Sequence, residues 1–256
     1  MLSLRTASEA VGALLARLGF ARSAGITFEG QRDLYAALGY KRLLRPEDYR
    51  GRYERNGVAA RIIETFPDSC WQQGGDVYED DDPKTDTAFE QAWKELNQKH
   101  KLWSVFRRLD ILTRLGRYGG LMIGAPGQVD TPLTKCAPKA LMYLTPFAEE
   151  DLRIETWEFD PLNERYGLPL TYALRRQTIN AAGQVVIEAV SRIIHWSRVI
   201  HVVDNQLDQR AYGMPALERV WNYLDDLEKV TGGGAEAFWK RADAGRPPSK
   251  DAIANN

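Results

Sequence analysis

The sequence predicts an α+β protein, with several helices, a mostly antiparallel sheet and an irregular N-terminal arm. Two observations predict this class. Up to Leu115, apolar residues recur every three or four positions, which is typical of one face of a helix. From Leu121 onwards the period changes to the alternation, rich in β-branched residues, that is typical of strands.

The N-terminal part of the chain holds two segments of different character. Residues 1–27 include an amphipathic stretch, Leu4–Leu18, which predicts a helix that needs something to pack on. Residues 28–53 hold short apolar pieces broken by glycine and proline, with aromatic side chains between them. We expect this second segment to be an irregular, partly extended arm.

Three helices are predicted over residues 56–67, 82–98 and 102–115. Asn56 can cap the first, which Pro67 ends or kinks because proline lacks a backbone N–H. An Asp-Pro pair begins the second helix, since proline suits the first helical turn. Two adjacent glycines follow the third helix and stop it.

The second half of the chain predicts strands and then one more helix. The strands are expected at Leu121–Ile123, Leu141–Leu144, Leu170–Leu174, Val185–Val190 and Val199–Val203. The helix begins after Pro215 and is interrupted by Gly232–Gly234, with a restart over residues 235–241. Residues 242–256 have no apolar periodicity and predict a tail.

The composition excludes several classes of protein. Lys and Arg total 34 against 35 for Asp and Glu, and a net charge of −1 argues against non-specific coating of nucleic acid. Cys70 and Cys136 match no metal-ligand spacing, so neither a zinc site nor a disulfide framework is expected. No apolar run approaches the ~20 residues that cross a bilayer, so no membrane association is predicted.

A search for catalytic groups finds no complete set. His195 and His201, six apart in one expected strand, could face a metal or phosphate; the alternative is a pair of partly buried histidines bonded to backbone carbonyls. The acidic run Glu79–Asp82 suits a divalent cation or, alternatively, a solvated turn that caps a helix. The glycine-rich stretches Gly116–Gly120 and Gly232–Gly234 lack the Lys-Ser/Thr of a phosphate-binding loop. We therefore predict no catalytic, cofactor-binding or metal-binding residue.

Charged and aromatic side chains instead suggest contacts with other molecules. Arg107, Arg114 and Arg117 lie three or seven residues apart on one helix face and could meet phosphate or a neighbouring subunit's carboxylates; a solvated face is the alternative. Large aromatic side chains often anchor interfaces. The candidates are Tyr35, Tyr40, Tyr49, Tyr53 and Trp221. For Trp221, a position in the core is the competing interpretation.

Several ordered blocks of the sequence carry a family resemblance. They are Arg32–Tyr40, Glu47–Gly57, Ala60–Glu64, Ile194–His201, Tyr212–Leu217 and Ala235–Trp239. Together they resemble the portal proteins of tailed bacteriophages, of the kind sometimes labelled by an anti-CBASS N-terminal domain. The resemblance covers about residues 28–241.

The resemblance implies a fold, a function and partners. It implies a portal wing-like domain over residues 28–211 and a helical passage towards the stem over residues 212–241. Portal subunits form a ring, typically of twelve, at one capsid vertex, where double-stranded DNA is packaged and later ejected. The implied partners are other portal subunits, terminase, the head–tail connector, and capsid and scaffold proteins. The implied location is the virion, after assembly in the host cytoplasm.

The chain also departs from the family pattern. Portal chains continue into a stem, a clip and a crown, whereas this sequence stops soon after Trp239, so we expect a truncation before the stem and clip. The alternative function is a cyclic-nucleotide phosphodiesterase-related anti-defence protein. Two-histidine phosphoesterases of that type use paired His-x-Thr motifs, and here the sequence has only His195-Trp-Ser197. No enzymatic activity is therefore predicted.

Overall fold

The computed structural model describes residues 33–79, 87–179 and 185–244, with side chains outside residues 176–191 and 242–244. Within this part the α+β class is confirmed by helices and two small antiparallel sheets. The chain divides into two compact units, one of residues 45–219 and the other of the residues on either side. The predicted domain boundaries stay a prediction.

The helices and strands are named here in chain order. The helices are α1 Leu34–Leu38, α2 Pro46–Arg55, α3 Gly57–Trp71, α4 Ala88–His100, α5 Leu102–Leu115 and α6 Trp221–Ala244. The strands are β1 Gly119–Gly124, β2 Tyr143–Ala148, β3 Leu152–Trp157, β4 Pro169–Ile179, β5 Val185–His195 and β6 Val199–Val202. The amphipathic stretch Leu4–Leu18, most of the acidic run Glu79–Asp82 and the end of the predicted tail lie outside the described residues.

Two helices form where an irregular arm was expected. The carboxylate of Asp33 caps α1 by accepting from the backbone N–H of Ala36 at 3.2 Å. At α2, Pro46 takes the first turn and Asp48 accepts from the backbone N–H of Arg45 at 2.8 Å. The prediction of an extended segment was wrong here because these local caps satisfy the helix ends despite weak apolar periodicity.

Helix α3 begins as predicted but does not end at its proline. The side chain of Asn56 accepts from the backbone N–H groups of two first-turn residues, both at 3.0 Å. Pro67 cannot donate to the carbonyl of Ile63, four residues earlier, and the Nε–H of Arg114 donates to that oxygen instead at 3.2 Å. A side chain from α5 thus supplies the missing donor, and α3 continues to Trp71.

The next two helices meet at a left-handed turn. Helix α4 begins at Ala88, where the Thr87 side chain accepts from the backbone N–H of Glu90 at 3.2 Å. The Asp-Pro pair predicted to begin this helix lies outside the described residues. Lys101 adopts φ 51° between α4 and α5. The bounds of α5 agree with the prediction, and Gly116 closes the helix before the predicted glycine pair is reached.

The strands form two separate three-stranded antiparallel sheets where the sequence suggested one. Sheet 1 has the order β2-β1-β6, and sheet 2 has the order β3-β4-β5. Strand β3 was not predicted, although its apolar residues alternate with charged ones. Strand β2 overlaps the predicted strand Leu141–Leu144 but begins at Tyr143 and ends at Ala148. It follows a short 3-10 turn at Pro138–Ala140.

The core of the 45–219 unit lies on both faces of sheet 1. On one face, Leu121 of β1 packs with Val105 and Leu109 of α5. On the other face, Met122 joins a buried cluster drawn from both sheets; its other members are Leu152, Tyr172, Ile194 and Val199. Gly120 permits this approach, because a Cβ there would lie 2.3 Å from a methyl carbon of Leu152.

Helix α6 corrects the prediction for the C-terminal region. It begins at Trp221 after a 3-10 turn at Glu218–Val220, and it runs without a break through Gly232–Gly234 to Ala244. Glycine only weakens an exposed helix, by about 1 kcal/mol per residue relative to alanine, and does not forbid it. The predicted interruption is therefore absent, and residues 235–241 continue the same helix.

Candidate functional site

The three arginines predicted on one helix face each contact a carboxylate of the same chain. The prediction of one shared face was wrong for Arg117, which follows the end of α5 because that helix closes at Gly116. The Nε–H of Arg107 donates to Asp68 of α3 at 2.6 Å. The guanidinium of Arg114 binds Asp204, which follows β6, at 2.9 Å in addition to the α3 carbonyl. These two arginines therefore connect α5 to α3 and to the end of sheet 1.

Arg117 makes an ion pair with a buried carboxylate. Its Nε–H donates to Glu149 at 2.7 Å, and the other oxygen of that carboxylate accepts from the Arg117 backbone N–H at 2.9 Å. The Glu149 side chain is 7% exposed, whereas that of Arg117 is 49% exposed. The guanidinium also lies 4.3 Å from the centre of the Tyr212 ring. The hydrogen bond to Glu149 raises the pKa of Arg117, so its guanidinium stays charged.

A cavity of about 460 Å³ opens beside this ion pair, entirely within the 45–219 unit. Side chains of both signs line it: Arg45, Glu47, Arg117, Glu149, Glu150 and Arg153. Burial raises the pKa of Glu150, and the guanidinium of Arg50, 3.0 Å away, opposes that shift. Because the lining charges largely balance, the cavity suits no strongly charged ligand of either sign.

The predicted interface aromatics fall into two groups. Tyr49 and Trp221 are buried, at 5% and 7% exposure, and the Tyr49 hydroxyl donates to Glu218. Tyr53 donates to Glu64 at 2.6 Å, and burial together with this bond raises its pKa to about 12. Tyr35 and Tyr40, which belong with Trp221 to the unit outside residues 45–219, remain partly exposed.

Those two tyrosines contact α6 within their own unit. Asn222 donates to the Tyr35 hydroxyl at 3.2 Å, and the Tyr40 hydroxyl donates to Asp226 at 2.5 Å. The bond to Asp226 raises the pKa of Tyr40 to about 12. The Nζ of Lys229 lies 4.5 Å from the centre of the Tyr40 ring, which is a cation–π contact.

The two histidines do not share the face of one strand. A 3-10 turn at Trp196–Arg198 separates them, so that His195 ends β5 in sheet 2 and His201 lies in β6 of sheet 1. His201 contacts the Tyr172 hydroxyl at 3.1 Å and the Ala211 carbonyl at 2.8 Å. His195 contacts Ser197 at 2.9 Å. Burial lowers the pKa of both rings. The expectation that both histidines lie in a single strand was wrong, because the 3-10 turn carries the chain from sheet 2 to sheet 1.

The remaining candidates also have structural places. Among the residues that the structure describes, no three His, Cys, Asp or Glu side chains gather as they would around a metal ion. Gly119 and Gly120 begin β1, where Thr113 and Leu152 approach too closely for a larger residue. Cys70 and Cys136 are both free thiols.

Sequence reasoning missed the carboxylates that organise the arginines. Glu149 and Asp204 follow strands, and Asp68 lies in the last turn of α3, far from α5 in sequence. No periodic pattern connects them to the arginines. The sequence did offer one signal for Glu149. It stands with Glu150 and Asp151 directly after an apolar strand, and three consecutive acidic residues in a turn need cationic partners or solvent.

Comparison with known proteins identifies the family of this chain. The profile of the phage portal protein family matches residues 48–243, about three quarters of the chain. The chain belongs to the phage portal protein family. A search of curated proteins finds no match.

Membership of the portal family is consistent with a structural role. Portal proteins are structural components of the virion, and the matched region spans α5, both sheets and nearly all of α6. Within the described ranges, no helix combines the length and the apolar character needed to cross a bilayer. The resemblance to portal proteins drawn from the sequence blocks is thereby confirmed.

Proposed function

We propose that this protein is a subunit of a portal ring that occupies one capsid vertex and conducts double-stranded DNA during packaging and ejection. The observation that carries the proposal is the family match over residues 48–243, which includes every predicted arginine and most of the predicted aromatic side chains. Terminase, the head–tail connector, and capsid and scaffold proteins are the proposed partners.

The direct test locates the protein in virus particles. Antibodies against the purified chain, visualised with gold in electron micrographs of the phage that carries this gene, should label one vertex per particle. Gently opened particles provide the control for antibody access. Label spread over the whole capsid, or absent from opened particles, would contradict the proposal.

The proposal also includes a role without catalysis. The ring nitrogens of His201 are bonded to Tyr172 and to a backbone carbonyl, and His195 lies in the other sheet, which favours structural roles for both. The purified chain is expected to hydrolyse neither ATP nor cyclic oligonucleotides. Turnover that disappears in both His195→Ala and His201→Ala would favour the phosphodiesterase alternative instead.

Contacts between subunits or with phosphate through the arginines belong to the same proposal. The side chains of Arg107 and Arg117 are 39% and 49% exposed, against 18% for Arg114. We therefore assign outward contacts to the first two and an internal role to Arg114. Among the aromatics, Tyr35 is 41% exposed and suits an interface better than the buried Tyr49.

The assembly state of the isolated chain is a separate expectation. We expect residues 1–256 by themselves to be monomeric or only weakly associated in solution. Light scattering at micromolar concentration measures this. A stable closed ring would show that residues 1–256 carry enough interface by themselves.

A further inference from the structure

A second cleft lies in the 45–219 unit, apart from the arginines of α5. Its volume is about 520 Å³, and it is bounded by the start of β4, by β6 and by the loops before and after them. Apolar and cationic side chains share its lining, which includes Arg165, Leu168, Trp196, Val199, His201 and Arg210. A concave site with apolar walls and a few polar groups has the general character of a binding site.

The two arginines of this cleft are held by backbone carbonyls. Arg165 donates to the carbonyl of Pro169 at 2.8 Å and lies 3.5 Å from the centre of the Trp196 ring, while its Nε–H is buried without an acceptor. Arg210 donates to the carbonyls of Glu164 and Tyr166 at 3.2 and 3.0 Å. Both guanidiniums are thus fixed in position before any ligand arrives.

The charge of this pair is not neutralised inside the chain. Among the described residues, no carboxylate lies within 4.0 Å of either guanidinium, in contrast to all three arginines of the α5 face. Burial lowers the pKa of Arg165 and the charge of Arg210 lowers it further, while Tyr172 and the more distant carboxylate of Glu158 oppose the shift. An anion placed between them would relieve both effects.

The two loops that Arg210 joins also carry exposed apolar side chains. They are Phe159, Leu162, Tyr166 and Leu207, whose exposed fractions are 75%, 95%, 50% and 85%. Exposed apolar side chains next to a polar cleft are typical of contact surfaces for other proteins. They favour a protein segment over the phosphates of a DNA duplex as the ligand of these arginines.

We propose that this cleft binds an acidic peptide segment of a partner protein, with a carboxylate between Arg165 and Arg210 and apolar side chains against the exposed apolar residues of the neighbouring loops. The charge is complementary, because two arginines and no carboxylate line the cleft. Guanidiniums bind carboxylates in a planar, two-pronged geometry, which favours this ligand chemistry. The inference goes beyond the portal role and does not depend on it.

The test follows the indole N–H signal of Trp196 by NMR in the full chain, identified through Trp196→Phe. The probe is the peptide acetyl-Glu-Phe-Glu-Leu-Glu-amide, and its matched control replaces each Glu with Gln. We expect the acidic peptide to shift the signal in a saturable manner and the Gln peptide not to. Arg210→Gln should weaken binding about tenfold, as expected for loss of one charge pair at an interface.

Further variants keep the test decisive. Arg192→Gln removes an exposed arginine of β5 that does not line the cleft, and it should bind as the parent does. Arg210→Lys retains the charge, so its affinity for the acidic peptide should lie between those of the parent and of Arg210→Gln. This variant separates the effect of the charge from the effect of losing the hydrogen bonds that hold the loop. Equal shifts with both peptides, or a stronger response to inorganic phosphate or a short DNA duplex, would overturn the proposal.

Discussion

The side chain of Arg114 supplies a hydrogen bond that the backbone of α3 lacks. Pro67 has no N–H, so the carbonyl of Ile63 would be left without its helical donor, and the Arg114 Nε–H lies 3.2 Å from that oxygen. The same guanidinium binds Asp204 at 2.9 Å. One residue thus satisfies a helix defect and closes an ion pair at the same time.

This arrangement predicts coupling between Arg114 and Pro67. Arg114→Ala should destabilise the parent by about 1 kcal/mol more than it destabilises Pro67→Ala, because alanine restores the helical donor and the carbonyl no longer needs the arginine. Urea unfolding of the four proteins in a double-mutant cycle measures the difference. As a control, Asp204→Asn should lower the free energy of unfolding by the same amount with proline or alanine at position 67. If Arg114→Ala also lowers it equally in both backgrounds, the coupling is refuted.

The imidazole of His201 predicts a pH dependence of stability. Burial lowers its pKa below the ordinary value of a histidine, although the Ala211 carbonyl opposes this shift. The unfolded chain therefore binds a proton at a higher pH than the folded chain does. Stability should be fully present above about pH 6.5 and should fall as the pH drops towards the folded pKa.

Urea melts on either side of this window test the assignment. The loss of stability on acidification should be smaller in His201→Gln, which no longer titrates there. Tyr172→Phe removes the hydroxyl contact but leaves the imidazole, so it should keep the pH response of the parent. A His201→Gln protein that loses as much stability as the parent would show that other groups cause the effect.

At the scale of single elements, α6 is the clearest case of a helix that tolerates poor helix formers. Cβ atoms added at Gly232, Gly233 and Gly234 would meet nothing within 4 Å. Alanine at each position should therefore stabilise the helix by about 0.5–1 kcal/mol, because it restricts the unfolded chain without a clash. Slower hydrogen exchange of the α6 amides in the triple-alanine variant would confirm this.

A glycine of α1 offers the matched control. Gly39 also has open space around it, but it closes α1 with φ 70°, a left-handed conformation that alanine adopts at a cost. Gly39→Ala should therefore destabilise the same unit that the α6 substitutions stabilise. Faster exchange in α6 after the three substitutions would indicate that the glycines are needed for packing.

At the scale of the whole molecule, the charges of the chain nearly balance. A net charge of −1 arises from 34 basic and 35 acidic residues. Arg107, Arg114 and Arg117 are paired with carboxylates from distant segments. The cleft arginines Arg165 and Arg210 are instead held by backbone carbonyls, so their charge is available to a ligand.

The stability of the molecule should depend strongly on Trp221. This side chain is 7% exposed, and replacing a buried tryptophan with alanine typically costs about 3–5 kcal/mol, a large part of the ~5–15 kcal/mol that stabilises a domain. We expect Trp221→Ala to unfold at much lower urea concentration or to aggregate. Tyr223→Ala, on the same helix but 75% exposed, should change the midpoint little. An unchanged midpoint for Trp221→Ala would indicate that the helix makes its main contacts with other molecules.

The sequence by itself determined the features that depend on near neighbours along the chain. Helix α5, the Asn56 cap and the positions of β1, β4, β5 and β6 follow from local periodicity and capping chemistry, and the portal resemblance follows from short ordered blocks. The helices of the expected arm were missed because their caps compete with glycine and proline signals that favour loops.

Only the tertiary structure decided which distant groups meet. The continuation of α3 past Pro67 depends on a donor from Arg114, and the division of the strands into two sheets depends on the turn between His195 and Val199. Likewise, Arg117 finds Glu149 while Arg165 and Arg210 find only carbonyls. Periodicity reports which face of an element is apolar; the partner of a charged side chain depends on the path of the whole chain, which no local pattern contains.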